Sequence, residues 1–331
     1  MKSVITGGAG FIGSHLAEAA VKLGHRVVVI DNFCTGRMKN LENIRDRIEI
    51  IEDNIETFGD WRNNFVDADW VFHLAALADI VPSIERPEDY FEVNVNGTFN
   101  VLRASKEAQV SRFIYTASSS CYGIPDEFPT LESSKIQPQY PYALTKWLGE
   151  ELVLHWSKVF QLPAISLRLF NVYGPRSRTA GTYGAVFGVF LAQLLANRAF
   201  TVVGDGNQTR DFTYVSDIVD AFIAGAKSHV TSEVFNVGSG ATVSVNRIVE
   251  LLGGKEKVHL PKRPGEPDCT FADIEKIRRC LGWEPRIRIE EGIEQLLHKV
   301  DDWKDAPIWT PETIEKATRG WFHHLGVSKE D

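Results

Sequence analysis

The sequence predicts an α/β protein: a Rossmann-type, doubly wound parallel sheet followed by a smaller C-terminal α/β domain. Three observations predict it. Short apolar runs alternate with helical patterns over the first 170 residues. A glycine-rich turn joins the first run to the first helical pattern, and beyond residue 170 the alternation gives way to glycine, proline and helical segments. Strand and helix in strict alternation imply βαβ units, whose right-handed crossovers build a parallel sheet covered on both faces.

The runs Ser3–Thr6, Arg26–Ile30, Trp70–Leu74, Phe113–Thr116 and Ala164–Leu169 read as strands. Phe11–Leu23, Glu88–Glu107 and Tyr142–Phe160 read as helices, with apolar residues at three- and four-residue spacing. Glycine and proline punctuate 174–188, and helices follow at Val189–Asn197, Val245–Leu252, Glu290–Asp301 and Pro311–His323. Asp217–Lys227 and Val234–Val237 look like a helix and strand returning to the sheet. The expected division is therefore 1–170 with 214–238 as a dinucleotide-binding domain, and 171–213 with 239–331 as a substrate domain.

Composition narrows the classes. At 44% hydrophobic the 331 residues can build a real core. A formal net charge of −8 argues against broad electrostatic binding to nucleic acid or anionic membrane. No apolar run reaches the roughly 18 residues of a membrane span, and Met1–Thr6 already reads as a strand rather than a targeting segment. Cytoplasmic placement is the expectation. Cys34, Cys121, Cys269 and Cys280 form no CxxC pair, so neither a zinc site nor a disulfide framework is expected.

The turn TGGAGFIGS carries Gly7, Gly10 and Gly13 between strand and helix. That spacing serves a tight turn, a close approach of pyrophosphate to the backbone, and tight helix–strand packing; the helix N-terminus then offers free amides to phosphate. Asp31 ends the second strand, 21 residues past Gly10. A carboxylate there accepts the adenosine ribose hydroxyls and repels a 2′-phosphate, which favours NAD over NADP. Arg37 lies nearby and works against that preference.

Tyr142 and Lys146, in YPYALTK, share one face of a helix. A cation about 4 Å from a phenolate, at an effective dielectric near 20, stabilises it by roughly 4 kcal/mol, or about three pKa units. The expectation is a phenol tuned toward neutral pH for general base catalysis. Ser118, in TASSSCYG, follows a strand's C-terminal end, where open α/β sheets bind ligands. His73, within an apolar strand end, reads as a satisfied core histidine rather than a catalytic one.

Several blocks in order resemble the extended short-chain dehydrogenase/reductases, specifically the NAD-dependent nucleotide-sugar epimerases and dehydratases. They are TGGAGFIGSH, DNFCTGR, HLAA, PEDYFEVNVNGT, SSSCYG, YPYALTK, LRLFNVYGPR, GDGNQTRDFTYVSD and RPGEPD. The resemblance implies that Gly7, Gly10, Phe11, Ile12, Gly13, Asp31, Asn32, Gly36, Asn54, Ile55, Leu74, Ala75 and Ala76 hold NAD, together with Tyr142 and Lys146. It implies a catalytic set of Ser118, Tyr142 and Lys146. It places Asp79, Ser118, Ser119, Asn171, Val186, Val203, Arg210, Arg263 and Glu266 around a nucleotide sugar, with Arg210 and Arg263 on its phosphates and Glu266 on its ribose. Relatives also pair as homodimers through a four-helix bundle, for which Phe99, Leu102, Trp147 and Leu154 are the candidate apolar stripe.

The departures are informative. Asp53-Asn54-Ile55 stands where the family has Gly-Asp-Ile, and Val203 stands where an aromatic ring commonly stacks on the base. Dehydratases and decarboxylases of the family carry Asp-Glu or Ser-Glu after the catalytic hydroxyl; here those positions are Ser119 and Ser120. The resemblance therefore implies 4-epimerisation of a nucleotide-activated hexose. A 4-dehydrogenase, a 4,6-dehydratase and, in another class, a non-catalytic NAD-binding scaffold remain open alternatives.

Overall fold

The computed structural model describes residues 1–177, 186–254 and 256–326. The glycine-punctuated stretch at 174–188 and the end of the expected substrate domain fall partly outside the described residues. Along the chain, β1 (Lys2–Thr6) leads through the glycine turn into α1 (Phe11–Lys22), then β2 (Arg26–Asp31), β3 (Ile48–Glu52) and β4 (Trp70–His73). α2 (Ile80–Glu85), α3 (Pro87–Phe91) and α4 (Gly97–Glu107) follow, then β5 (Arg112–Ser118), α5 (Pro141–Phe160), β6 (Ala164–Leu169) and β7 (Asn171–Tyr173). The rest runs α6 (Val186–Leu195), β8 (Phe200–Val203), β9 (Thr209–Arg210), β10 (Phe212–Tyr214), α7 (Val215–Lys227), β11 (Glu233–Val237), β12 (Val243–Ser244), α8 (Val245–Leu251), β13 (Lys257–Leu260), α9 (Glu275–Leu281), α10 (Ile289–Leu297) and α11 (Pro311–Leu325).

Seven parallel strands form the central sheet in the order β11-β6-β5-β4-β1-β2-β3. Side chains alternate faces along each strand. Val27 and Val29 of β2 enter one core with Leu16, Ala17 and Ala20 of α1 and Ile218 and Phe222 of α7. Val28 and Ile30 enter the opposite core with Val101 and Leu102 of α4 and Val153 of α5. Burial on both faces explains why these strands read as continuous apolar runs. A third core gathers Tyr173, Phe190, Phe200, Phe212, Ile248 and Leu296 beside the sheet. Two of the parallel strand pairs there, β7 with β10 and β8 with β13, stand apart from the main sheet.

Two of the differences from the sequence reading lie in or beside the central sheet. β3 (IEIIE) is an edge strand whose residues are half-buried or exposed, so it lacks the apolar run that marks its neighbours. The helix expected at Glu88–Glu107 is interrupted by a π-helical turn over Glu92–Asn96. That extra residue turns Asn94 inward. Its side chain accepts from Leu77 N at 2.8 Å and donates to Leu77 O and to Thr145 Oγ1, both at 3.0 Å. Asn94 thereby ties the loop after β4 to α5. No helix among the described residues is long and apolar enough to cross a membrane.

His73 is 1% exposed, with Nδ1 2.7 Å from Thr6 Oγ1 and Nε2 2.9 Å from Thr98 Oγ1. Both ring nitrogens are used in joining β4, β1 and α4. Burial, reinforced by the charge of Lys146, pushes its pKa down to about 3. A folded value below the unfolded one means stability present above about pH 6.5 and lost as the pH falls toward 3. His73→Asn should therefore lose less stability than wild type over that window, the difference reaching about 4 kcal/mol at pH 3. Urea denaturation across the pH series measures it, and parallel curves would show that His73 does not drive the acid transition.

Candidate functional site

The C-terminal ends of five adjacent strands deliver the expected cofactor residues to one edge of the sheet. Gly7–Gly13 follow β1, Asp31, Asn32 and Gly36 end or follow β2, Asn54 and Ile55 follow β3, and Leu74–Ala76 follow β4, while Ser118 ends β5. Strand order reverses between β1 and β4, which opens a crevice there. Gly7 has φ +71°, and a Cβ on it would lie 2.6 Å from Ala75 N; a Cβ on Gly13 would lie 2.2 Å from Gly7 O. Only glycine lets these two loops and the start of α1 meet.

The crevice fits a dinucleotide. A Cβ at Gly10 would meet only Gly7 O, at 3.1 Å, so space stands open in front of the α1 N-terminus. The Asp31 carboxylate is 8% exposed and accepts from Ala9 N and Phe33 N, both at 2.9 Å. Burial raises its pKa while those two amides lower it, and each oxygen keeps a lone pair for a ribose hydroxyl. Arg37, expected to oppose NAD selection, directs its guanidinium to Arg176 O at 3.2 Å. Asn32 and Asn54 use their amide oxygens to accept from Cys34 N and Glu56 N, both at 3.1 Å. Ile55 is a core residue under Gly97, and Phe11 and Ile12 pack against the third core.

Tyr142, Lys146 and Glu150 follow one another at four-residue spacing on α5 and face β5 and β6. The Ser118 hydroxyl favours the Tyr142 phenolate, yet burial dominates and raises the phenol above the ordinary tyrosine value; Asp79 raises it further. This corrects the expectation of a lysine-tuned phenol in the protein alone. Lys146 is 4% exposed, and burial lowers its own pKa to about 7 against the opposing pull of Glu150. Its Nζ lies 4.5 Å from the centroid of the Tyr115 ring, and none of the described residues accepts a hydrogen bond from it. A buried amine with unused donors, beside the crevice, suits the ribose hydroxyls of a nicotinamide nucleotide.

Beneath Lys146, Glu150 and Arg168 form a buried ion pair at 2.5 Å, with side chains 1% and 6% exposed. Glu150 Oε2 also accepts from Ser166 Oγ at 2.7 Å. Arg168 donates to Tyr122 Oη at 2.8 Å and Glu132 O at 3.1 Å, and Tyr122 donates to Asn236 Oδ1 at 2.7 Å. Burial works against the Arg168 charge, but the Glu150 hydrogen bonds outweigh it and strengthen its hold on the proton. Sequence reasoning missed Glu150, although a carboxylate one helical turn past Lys146 on an inward face was a readable signal.

The substrate candidates divide. Tyr140 stacks on Tyr142, with centroids 6.4 Å apart and planes 5° from parallel. Burial raises the Tyr140 phenol, which also senses Tyr142, Glu266 and Arg210. One aromatic thus links the catalytic set to the phosphate candidates. Glu266 accepts from Arg210 at 3.1 Å and lies 3.8 Å from Arg263. Asp79 precedes α2 and acts on Tyr142. Ser119 opens the 3₁₀ turn after β5, while Ser120 Oγ lies 2.8 Å from Ser118 Oγ. Asn171 Oδ1 accepts from Thr270 Oγ1 at 3.0 Å. Val186 starts α6 and Val203 ends β8, and no described contact joins either to this group. Of the candidate dimer stripe, Leu102 is buried in the chain's own core, Phe99 is exposed, and Trp147 and Leu154 are half-buried.

Residues 3–238 match the NAD dependent epimerase/dehydratase family. The chain belongs to that family. Its cofactor is NAD. It is 33% identical over 302 residues to a putative UDP-glucose 4-epimerase of Methanocaldococcus jannaschii, across 89% of this chain and 97% of that one. The UDP-glucose 4-epimerase of Thermotoga maritima, solved with UDP-glucose, overlays with a TM-score of 0.86 at 32% identity, covering 91% of this chain and 99% of its own. The UDP-glucuronic acid 4-epimerase of Bacillus cereus, solved with UDP-glucuronic acid and NAD, gives 0.84 at 34% identity, with 91% and 99% covered.

Glu150→Gln would leave the Arg168 charge buried beside a neutral amide. It should cost about 3–5 kcal/mol of stability, against well under 1 kcal/mol for an exposed pair such as Arg103–Glu107. Chemical denaturation of Glu150→Gln and Glu107→Gln compares them, and equal losses would contradict the buried-pair reading.

Proposed function

We propose that the protein inverts C4 of a nucleotide-activated hexose, with Ser118, Tyr142 and Lys146 as the catalytic set. The observation that carries the reading is the continuity from the Ser118–Tyr142 pair through Tyr140 to the Arg210–Glu266–Arg263 group. It joins a proton-transfer centre at the dinucleotide crevice to two guanidiniums able to hold a pyrophosphate. Residues 1–170 with 214–238 carry the cofactor side, and 171–213 with 239–331 the nucleotide-sugar side; the pairing of β11 with β6 supports this interleaving. The UDP sugars bound by the Thermotoga and Bacillus enzymes make UDP-hexoses the first candidates. A homodimer through α4 and α5 is part of the proposal, with exposed Phe99 on its face.

NAD, held at the glycine turn with Asp31 and Lys146 toward its riboses, would supply the hydride acceptor when bound. Tyr142 takes the proton from the C4 hydroxyl, and Ser118 holds the oxygens in line. Lys146 orients the ribose and carries charge near neutral pH. Arg210 and Arg263 exchange part of their contact with Glu266 for the pyrophosphate, leaving the carboxylate for the nucleotide ribose. The hexose loses a proton from O4 and a hydride from C4; return of the hydride to the opposite face of C4, with the proton restored to O4, inverts the centre. Elimination of the C6 hydroxyl would need an acid and a base, which Ser119 and Ser120 do not provide.

Incubation with UDP-, GDP-, dTDP- and CDP-hexoses, followed by NMR, should show C4 inversion of at least one. Release of the ketone instead would identify a dehydrogenase, and a product lighter by one water a dehydratase. Tyr142→Phe should reduce turnover by at least about a hundredfold while NAD stays bound; retention of a tenth of wild-type turnover would remove Tyr142 from the base role. Calorimetry should give NAD at least about tenfold tighter than NADP, through repulsion by Asp31. Equal affinities would refute that assignment.

A further inference from the structure

The C-terminal helix α11 is built against the phosphate-binding loop. Thr310 caps it with a reciprocal side-chain box to Thr313. Ile314, Thr318 and Trp321, spaced four and three apart, form its buried stripe at 4%, 2% and 3% exposure. That stripe faces α2 and the loop 263–266: a Cβ on Gly320 would lie 3.5 Å from Glu85 Oε1. Phe322 joins Ile124, Lys262, Arg263 and Glu266 around a cavity of about 520 Å³, a size suited to a small ligand.

Trp321 touches that loop twice. Its Nε1 donates to Pro264 O at 2.7 Å, and its ring lies 5.4 Å from the Arg263 guanidinium carbon. It also lies 6.1 Å from the Tyr140 ring, which stacks on Tyr142. The carbonyl it holds begins a turn through Gly265 at φ +71°. A turn of that kind has other conformations open to it, and an indole N–H on its carbonyl selects one.

We propose that Trp321 is a positioning residue for sugar-nucleotide binding: it holds the Pro264–Gly265 turn and Arg263 in the shape that receives the pyrophosphate. This rests on the phosphate-binding reading of Arg263 given above. Trp321 touches no reacting atom, so its removal weakens binding and spares the chemical step. Nucleosides without phosphate depend on it less, through Glu266 of the same loop alone.

The test compares full-length Trp321→Leu, Trp321→Phe and Arg263→Ala with wild type, each with NAD bound. The readouts are kcat, KM, and inhibition by UDP and by uridine. Trp321→Leu should raise KM and the UDP inhibition constant about tenfold, with kcat within about threefold and the uridine inhibition constant raised by no more than about threefold. Trp321→Phe, which keeps the ring and loses the N–H, should fall between, and it carries the comparison if the leucine variant does not fold. Weakened UDP binding in Arg263→Ala with wild-type behaviour in both Trp321 variants would overturn the role of Trp321 alone. Equal losses for UDP and uridine would also overturn it, because they would mark a general collapse of the pocket. Wild-type UDP binding in Arg263→Ala would overturn the phosphate reading and this proposal together.

Discussion

Glu150 and Arg168 are both withdrawn from water beneath the catalytic helix, and the site is arranged around that pair. A buried ion pair is a poor source of net stability, because desolvation offsets its attraction. What it supplies is geometry. The carboxylate is fixed by Arg168 and Ser166, both on β6. Arg168 reaches Tyr122 after β5, and Tyr122 reaches Asn236 on β11. One network therefore locks α5 against two strands, β6 and β11, and the turn after β5. Lys146 and Tyr142 stand about one and two turns before Glu150, so their positions over the sheet edge follow from it.

The same network sets the charge at the site. Lys146 is desolvated enough to sit near pH 7, and without the Glu150 carboxylate it would sit lower. Its cation in turn helps keep His73 neutral within the adjoining strand. A histidine next to a buried lysine invites a mechanistic role, but both its nitrogens are committed to threonines that join β1, β4 and α4. The site thus separates a structural neutral imidazole from a titratable amine by burial and hydrogen bonding alone.

Most of this was legible in the sequence where one residue type has one physical use. Gly7 and Gly13 announce close backbone approach, and the carboxylate of Asp31 stands at the strand end where the sequence placed it. The apolar runs of β1, β2, β4, β5 and β6 follow from burial on both faces. β3 escaped because an edge strand alternates glutamate with isoleucine and resembles a loop. The π-helical turn escaped because the partners of Asn94, Leu77 and Thr145, are distant in sequence. Trp321 carried no signal at all: its importance comes from tertiary contact with a loop 57 residues earlier.

The reaction type turns on which carboxylates reach the sugar. Ser119 and Ser120 remove the acid from the place where dehydratases keep it, and Ser120 is engaged with Ser118 rather than poised as a base. Asp79 is the carboxylate that acts on the Tyr142 phenol, and it belongs to a segment held by Tyr90 Oη on its own carbonyl at 2.6 Å. A carboxylate in that position raises the phenol pKa, so its phenolate is the stronger base and its neutral form the weaker acid. Elimination would need a further acid at C6, and the hydroxyls of Ser119 and Ser120 are not one.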